Sequence, residues 1–209
     1  MPRRPRVTPP SLSQPPPSAG GVPERILNAA CELFYREGIQ AVGIQRVIDE
    51  AGIAKASLYA HFETKDALVA ACLARRAAGW RSLVTERISV GRPDARAKIL
   101  RLFDVLVEWI EGPDFCGCPF QKATGELSAP GHPARDVITA HRAWLHALMV
   151  SLVREAGARP PDRVAGALIV ILDGAAATGL VDGATGPARH ARWAAVQILD
   201  AATGSASTR

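Results

Sequence analysis

The sequence predicts an all-α protein. From Pro23 to the C-terminal region, apolar residues recur at helical spacing and Gly or Pro punctuates the segments. Strand-like alternation bounded by hairpin signals does not occur. The 209 residues are 48% hydrophobic, enough to bury a core.

Residues 1–22, rich in Pro, Ser and Gly and without a hydrophobic period, read as a disordered basic tail whose Arg3, Arg4 and Arg6 could touch phosphates. The first helix carries Ile26, Leu27, Ala30, Leu33 and Phe34, with Pro23 in its first turn and Gly38 at its end. Ile44, Val47, Ile48 and Ala51 make a second, two-turn helix that Gly52 terminates. Leu58 and Phe62 supply the inward face of a short third helix. The fourth starts after Thr64 as N-cap, with Asp66 in its first turn, and runs through Leu68, Leu73, Trp80 and Ile88 to near Gly91. Further helices are expected over 93–110, 119–127, 133–156, 161–181 and 187–202. No internal repeat is visible.

The net charge of +5 suggests an acidic partner, yet residues 23–70 hold five Lys/Arg against seven Asp/Glu. A nucleic-acid argument therefore rests on where the charges sit. Two short helices meeting at a Gly corner describe a helix-turn-helix, whose second helix enters the major groove. The outward face of the third helix suits that task. Lys55, Ala56, Ser57, Tyr59 and His61 lie on or beside it, and no acid occurs from Lys55 to Phe62. Ala56 permits close approach, Ser57 and Tyr59 donate, and Lys55 adds a charge-assisted donor. Gln45 and Arg46 reach the duplex from the second helix, and Lys65 sits at the start of the fourth, where free backbone N–H groups favour a phosphate.

The segment from Arg25 to Leu68, with "ILNAACELFYREG" and "VIDEAGIAKASLYAHFETKDAL", resembles the N-terminal domain of the TetR family of bacterial transcriptional repressors. "LYAHFETKDAL" is its most specific part. The resemblance implies a three-helix DNA-binding head over 23–70 and a helical effector-binding and dimerisation domain over 71–209. It further implies a cytoplasmic homodimer on a palindromic operator of double-stranded DNA, released by a small-molecule effector. Tyr59, His61 and Lys65 match positions that touch the DNA backbone in the family, and Gln45, Lys55, Ala56 and Ser57 match those nearer the bases. Gly43 and Ala54 stand where the family carries polar caps.

Beyond residue 90 the resemblance is one of architecture. "DRVAGALIVILDGAAATGLV" is apolar almost all round and, with the helix around Trp193, Val196 and Ile198, resembles the family's four-helix dimer interface. The run Val164–Leu172 is too short to span a bilayer, and no signal peptide leads the chain, so a soluble protein is expected. Trp80, Phe103, Trp109, Phe120 and Trp144 are candidate walls of an effector cavity, with Glu126, His141, His146 and Asp173 as polar handles.

The four cysteines, Cys31, Cys72, Cys116 and Cys118, form no disulfide framework and fit a reducing compartment. Cys116 and Cys118 stand at a short helix's start, where the helix N-terminus would stabilise a thiolate, so a redox switch or soft-metal site is an alternative reading. Neither cofactor nor metal is expected. An enzyme would use this dithiol, or Glu126 with a histidine, but the chain lacks a nucleotide-binding Gly loop, metal-ligand spacing and a nucleophile motif. A helical adaptor would leave the acid-free "KASLYAHF" face without a purpose.

Overall fold

A computed structural model describes residues 20–127, 129–183 and 186–204. Among these are nine helices and no strand: α1 (Val22–Glu37), α2 (Ile44–Ala51), α3 (Lys55–His61), α4 (Lys65–Ser89), α5 (Ala95–Ile110), α6 (Pro119–Glu126), α7 (Ala134–Glu155), α8 (Pro161–Asp182) and α9 (Gly186–Thr203). The expected tail lies outside the described residues as far as residue 19. Its last member, Val22, is already helical, with Gly21 as N-cap and Pro23 in the first turn.

Two caps settle where the longer helices begin. The Thr64 hydroxyl accepts the Ala67 N–H at 3.0 Å and opens α4. The Asp94 carboxylate accepts the Ala97 N–H at 2.7 Å, so α5 starts two residues after Pro93, which the sequence reading took as its first residue. By contrast, Gly43 and Ala54 offer no side-chain cap to α2 and α3.

Two clusters of buried side chains hold the molecule together. The smaller joins α1, α2, α3 and the first half of α4 around Ile26, Val47, Leu58 and Leu68. It also takes in Phe120, Ala123, Leu127 and Ala134, from α6, the segment after it and the start of α7. Leu58 is fully buried, whereas Phe62 is only half-buried against the same cluster. The larger cluster fills the space among α5, α7, α8, α9 and the second half of α4 around Phe103, Leu106, Met149 and Leu168. The 25-residue α4 runs unbroken through both.

The α8 helix covers the expected 161–181 and ends one residue later, at Asp182. By length and composition alone its 22 residues are enough to cross a membrane, although nearly half of the apolar window is buried in this fold. Val164, Leu168, Ile169 and Leu172 enter the larger core. Ala167, Val170, Gly174, Ala177, Thr178 and Val181 form an exposed stripe at spacings of one, three and four residues.

The corner between α2 and α3 turns on Gly52, at φ 60° and ψ 46° in the left-handed region, with its N–H on the carbonyls of Asp49 and Ile48. A Cβ there would meet nothing within 4 Å. Backbone strain alone should therefore set the effect of Gly52→Ala, a loss of about 1–2 kcal/mol. Urea titration of the purified variant checks this, and an unchanged midpoint would show that the corner tolerates a side chain.

Candidate nucleic-acid interface and internal cavity

On the α2–α3 corner the structure exposes Gln45, Arg46, Lys55, Ala56, Tyr59 and His61, and half-buries Ser57 and Lys65. Tyr59 is 43% exposed, a large ring left open to solvent. Lys65 lies over the Phe34 ring, its ammonium 6.0 Å from the centroid. Gln45 and Arg46 are already engaged. The Gln45 amide donates to Asp49 at 2.9 Å, and Arg46 pairs with Glu50 at 3.1 Å and Glu37 at 3.6 Å. The first two are i, i+4 pairs readable from sequence spacing. Both side chains would exchange an internal partner for one on a duplex.

A cavity of about 740 Å³ opens between α4, α5, α6, α7 and α8. Trp80, Trp109, Phe120, His141 and Asp173 line it, as expected of wall residues. Four other expected members do not. Phe103 is fully buried in the larger core and Trp144 packs beside the cavity, its ring 5.9 Å from His141 and beneath the Arg81 guanidinium. Glu126 points away, accepting the Gln40 N–H at 2.8 Å in the loop after α1. His146 is exposed on α7. Sequence reasoning missed Arg75, Arg76 and Arg142 on the cavity wall. Arg142 donates to both carboxylate oxygens of Asp173, at 2.9 and 2.7 Å.

His141 stacks on Phe120 with ring centroids 3.8 Å apart, and its buried Nδ1 has no hydrogen-bond partner among the described residues. Burial first, and then the Arg81 and Arg142 charges, lower its pKa from 6.5 to about 4. The ring is neutral near pH 7.

The α6 helix stands between cavity and corner. Phe120, Gln121 and Thr124 line the cavity. From the same helix, the Lys122 ammonium donates to the Tyr35 carbonyl at 2.6 Å and Glu126 holds Gln40. The Tyr35 hydroxyl donates to the Gly117 carbonyl at 3.1 Å and accepts the Cys116 N–H at 2.9 Å. Burial is the main reason its pKa rises to about 12. Gly38 completes the joint: its φ of 98° suits glycine, and a Cβ there would stand 3.4 Å from the Glu126 carboxylate.

All four cysteines are free thiols. Cys118 is the α6 N-cap, but the expected thiolate stabilisation is outweighed. Burial raises its pKa more than the N–H groups of Gln121 and Phe120 lower it. Among the described residues, no group of three His, Cys, Asp or Glu is placed to hold a metal ion.

A helix-turn-helix corner clamped to a helical body with its own cavity is the architecture of a DNA-binding transcriptional regulator. The sequence model of the bacterial regulatory proteins of the tetR family matches residues 26–72. The fold matches SCO4454, a TetR-family transcriptional regulator from Streptomyces coelicolor, with a TM-score of 0.83 and 30% identity over 87% of this chain and 96% of that one. It also matches the TetR-type regulator sav143 of Streptomyces avermitilis, with a TM-score of 0.78 and 32% identity over 88% and 98%. The HTH-type transcriptional regulator YerO of Bacillus subtilis is 42% identical over 46 residues, 22% of this chain but only 16% of that protein's length. The chain belongs to the TetR family.

Because the folded pKa of His141 lies below 6.5, its neutral ring stabilises the fold above that pH, and the contribution is lost as the pH falls toward about 4. Urea midpoints between pH 7 and 4 should fall less steeply for His141→Phe, which keeps an aromatic ring on Phe120. Equal slopes for the two proteins would contradict the burial of a neutral imidazole.

Proposed function

We propose that the chain is a ligand-responsive repressor: a cytoplasmic homodimer that holds a palindromic operator and releases it when a small molecule fills the cavity. The observation that carries this reading is the double engagement of α6, which lines the cavity with Phe120, Gln121 and Thr124 while Lys122 and Glu126 grip α1 and the loop after it. A ligand pressing on the first face moves the second. The coupling needed is modest, about 1–3 kcal/mol, and reciprocal between operator and effector.

In this reading residues 23–70 are the DNA-binding unit, preceded by a basic tail over 1–22, and 71–209 the effector and dimerisation unit. The α3 helix lies in the major groove, with Lys55, Ala56 and Ser57 beside base edges. Tyr59, His61 and Lys65 hold phosphates, and Gln45 and Arg46 approach from α2. A dimer places two such helices ~34 Å apart, one turn of duplex. The exposed α8 stripe supports dimerisation. Val170 is 69% exposed, Val181 84% and, on α9, Trp193 66%, a row of apolar side chains that a second copy would cover. The small residues Ala167, Gly174 and Ala177 let two α8 helices approach closely.

Selection of randomised duplexes by the purified protein at a stated salt concentration should enrich a palindrome. Failure of a folded dimer to enrich any sequence would sink the repressor reading. Tyr59→Ala with Lys65→Ala should weaken binding to the selected site and make the slope of log affinity against log salt shallower by roughly one unit for the lysine's phosphate. Undiminished binding would misplace the DNA face. Val181→Glu with Trp193→Glu should yield monomers in sedimentation, and a persisting dimer would move the interface elsewhere.

A further inference from the structure

The cavity carries more positive charge than an apolar site needs. Arg75, Arg76 and Arg142 line it against one carboxylate, Asp173, which Arg142 already occupies. Arg75 and Arg76, neighbours on α4, have weaker partners. Arg75 donates to the Asn28 amide oxygen and reaches Glu24, an exposed carboxylate, only at 3.5 Å. Arg76 donates to the Cys31 carbonyl at 3.0 Å and stacks over Tyr35, its guanidinium carbon 4.0 Å from the ring centroid; it makes no ion pair among the described residues. All four of these partners belong to α1. On the facing wall, Arg142 and the nearby Arg81 assist burial in keeping His141 neutral. The rest of the lining, Trp80, Trp109 and Leu106 among it, is apolar.

Resting on the reading of this cavity as the effector site, we infer that its ligand is an amphipathic organic anion. Its ring or chain packs on Trp80, Trp109 and Phe120, and its carboxylate or sulfonate binds Arg75 and Arg76 in place of their α1 partners. A carboxylate or sulfonate adds to each bond the attraction of opposite charges at short range, which the neutral Asn28 and Cys31 acceptors lack, and can take guanidinium bonds in a bidentate pair, so the exchange runs toward the ligand. Each bond transferred removes one tie between α4 and α1. The same two side chains thereby select the charge of the effector and report its arrival to the DNA-binding unit.

Two probes with the same aromatic body separate charge from shape: 8-anilinonaphthalene-1-sulfonate, an anion, and N-phenyl-1-naphthylamine, its neutral counterpart. Calorimetry on the full chain should show the anion binding at least about tenfold more tightly. Arg75→Met with Arg76→Met should abolish that preference, and the paired Lys replacements, which keep the charge, should retain it. Should the Met pair unfold, the single Arg76→Met variant should narrow the preference in the same direction. Gly79→Phe directs its ring into a position where a Cβ meets nothing within 4 Å on the cavity wall, and should block both probes. Hydrogen exchange at Asn28 and Cys31 should quicken with the anion and not with the neutral probe. Equal affinities, or a preference that survives the Met pair, would overturn the anion assignment. Tight anion binding with unchanged exchange in α1 would overturn the switch. Binding indifferent to Gly79→Phe would overturn both, along with the effector cavity itself. None of these readouts uses DNA, so the operator selection stands or falls separately.

Discussion

The buried hydroxyl of Tyr35 is the fixed point of this molecule. A phenol removed from water needs partners for both its proton and its lone pairs. Here it finds them in the Gly117 carbonyl and the Cys116 N–H, far away in sequence on the loop before α6. The last turn of α1 is thereby tied to the body. The Lys122 ammonium on the Tyr35 carbonyl and the Glu126 carboxylate on the Gln40 N–H extend the tie along α6. The position of the recognition corner is thus set by polar contacts with strict geometry, laid over a small apolar cluster that α6 itself helps to complete.

Much of the fold was legible because helical periodicity is a strong signal and Gly and Pro separate the segments. Ile44, Val47, Ile48 and Ala51 marked α2, and Gly52 its end. Asp94 as the α5 cap was also readable, but Pro93 drew the expected start two residues early. The extent of α8 was legible too: the helix expected over 161–181 ends one residue later, at Asp182, the small residues from Gly174 to Gly179 continuing it beyond the hydrophobic run Val164–Leu172.

The cavity was legible only in part, for a reason common to apolar sites. Trp80, Trp109, Phe103 and Trp144 are the same kind of residue at the same kind of spacing, and sequence cannot say which ring meets a void and which meets another ring. Adjacent arginines on a long helix usually mark a solvated face, so Arg75 and Arg76 gave no signal; only the packing of α4 against α1, α5 and α7 turns them inward. Glu126 looked like a polar handle because the backbone N–H it satisfies lies 86 positions away.

The continuity of α4 also has a mechanical side. At 1.5 Å per residue, Trp80 on the cavity wall and Lys65 at the first turn lie about 22 Å apart along one rigid rod. A tilt of about 5° at the cavity would sweep the far end through about 2 Å. In an assembly with a two-fold rotation axis the heads move equally and oppositely across the axis, so their separation changes by up to about twice that amount. If an effector acts as proposed, a rearrangement too small to disturb the core becomes a mismatch with the pitch of the duplex, by leverage and symmetry alone.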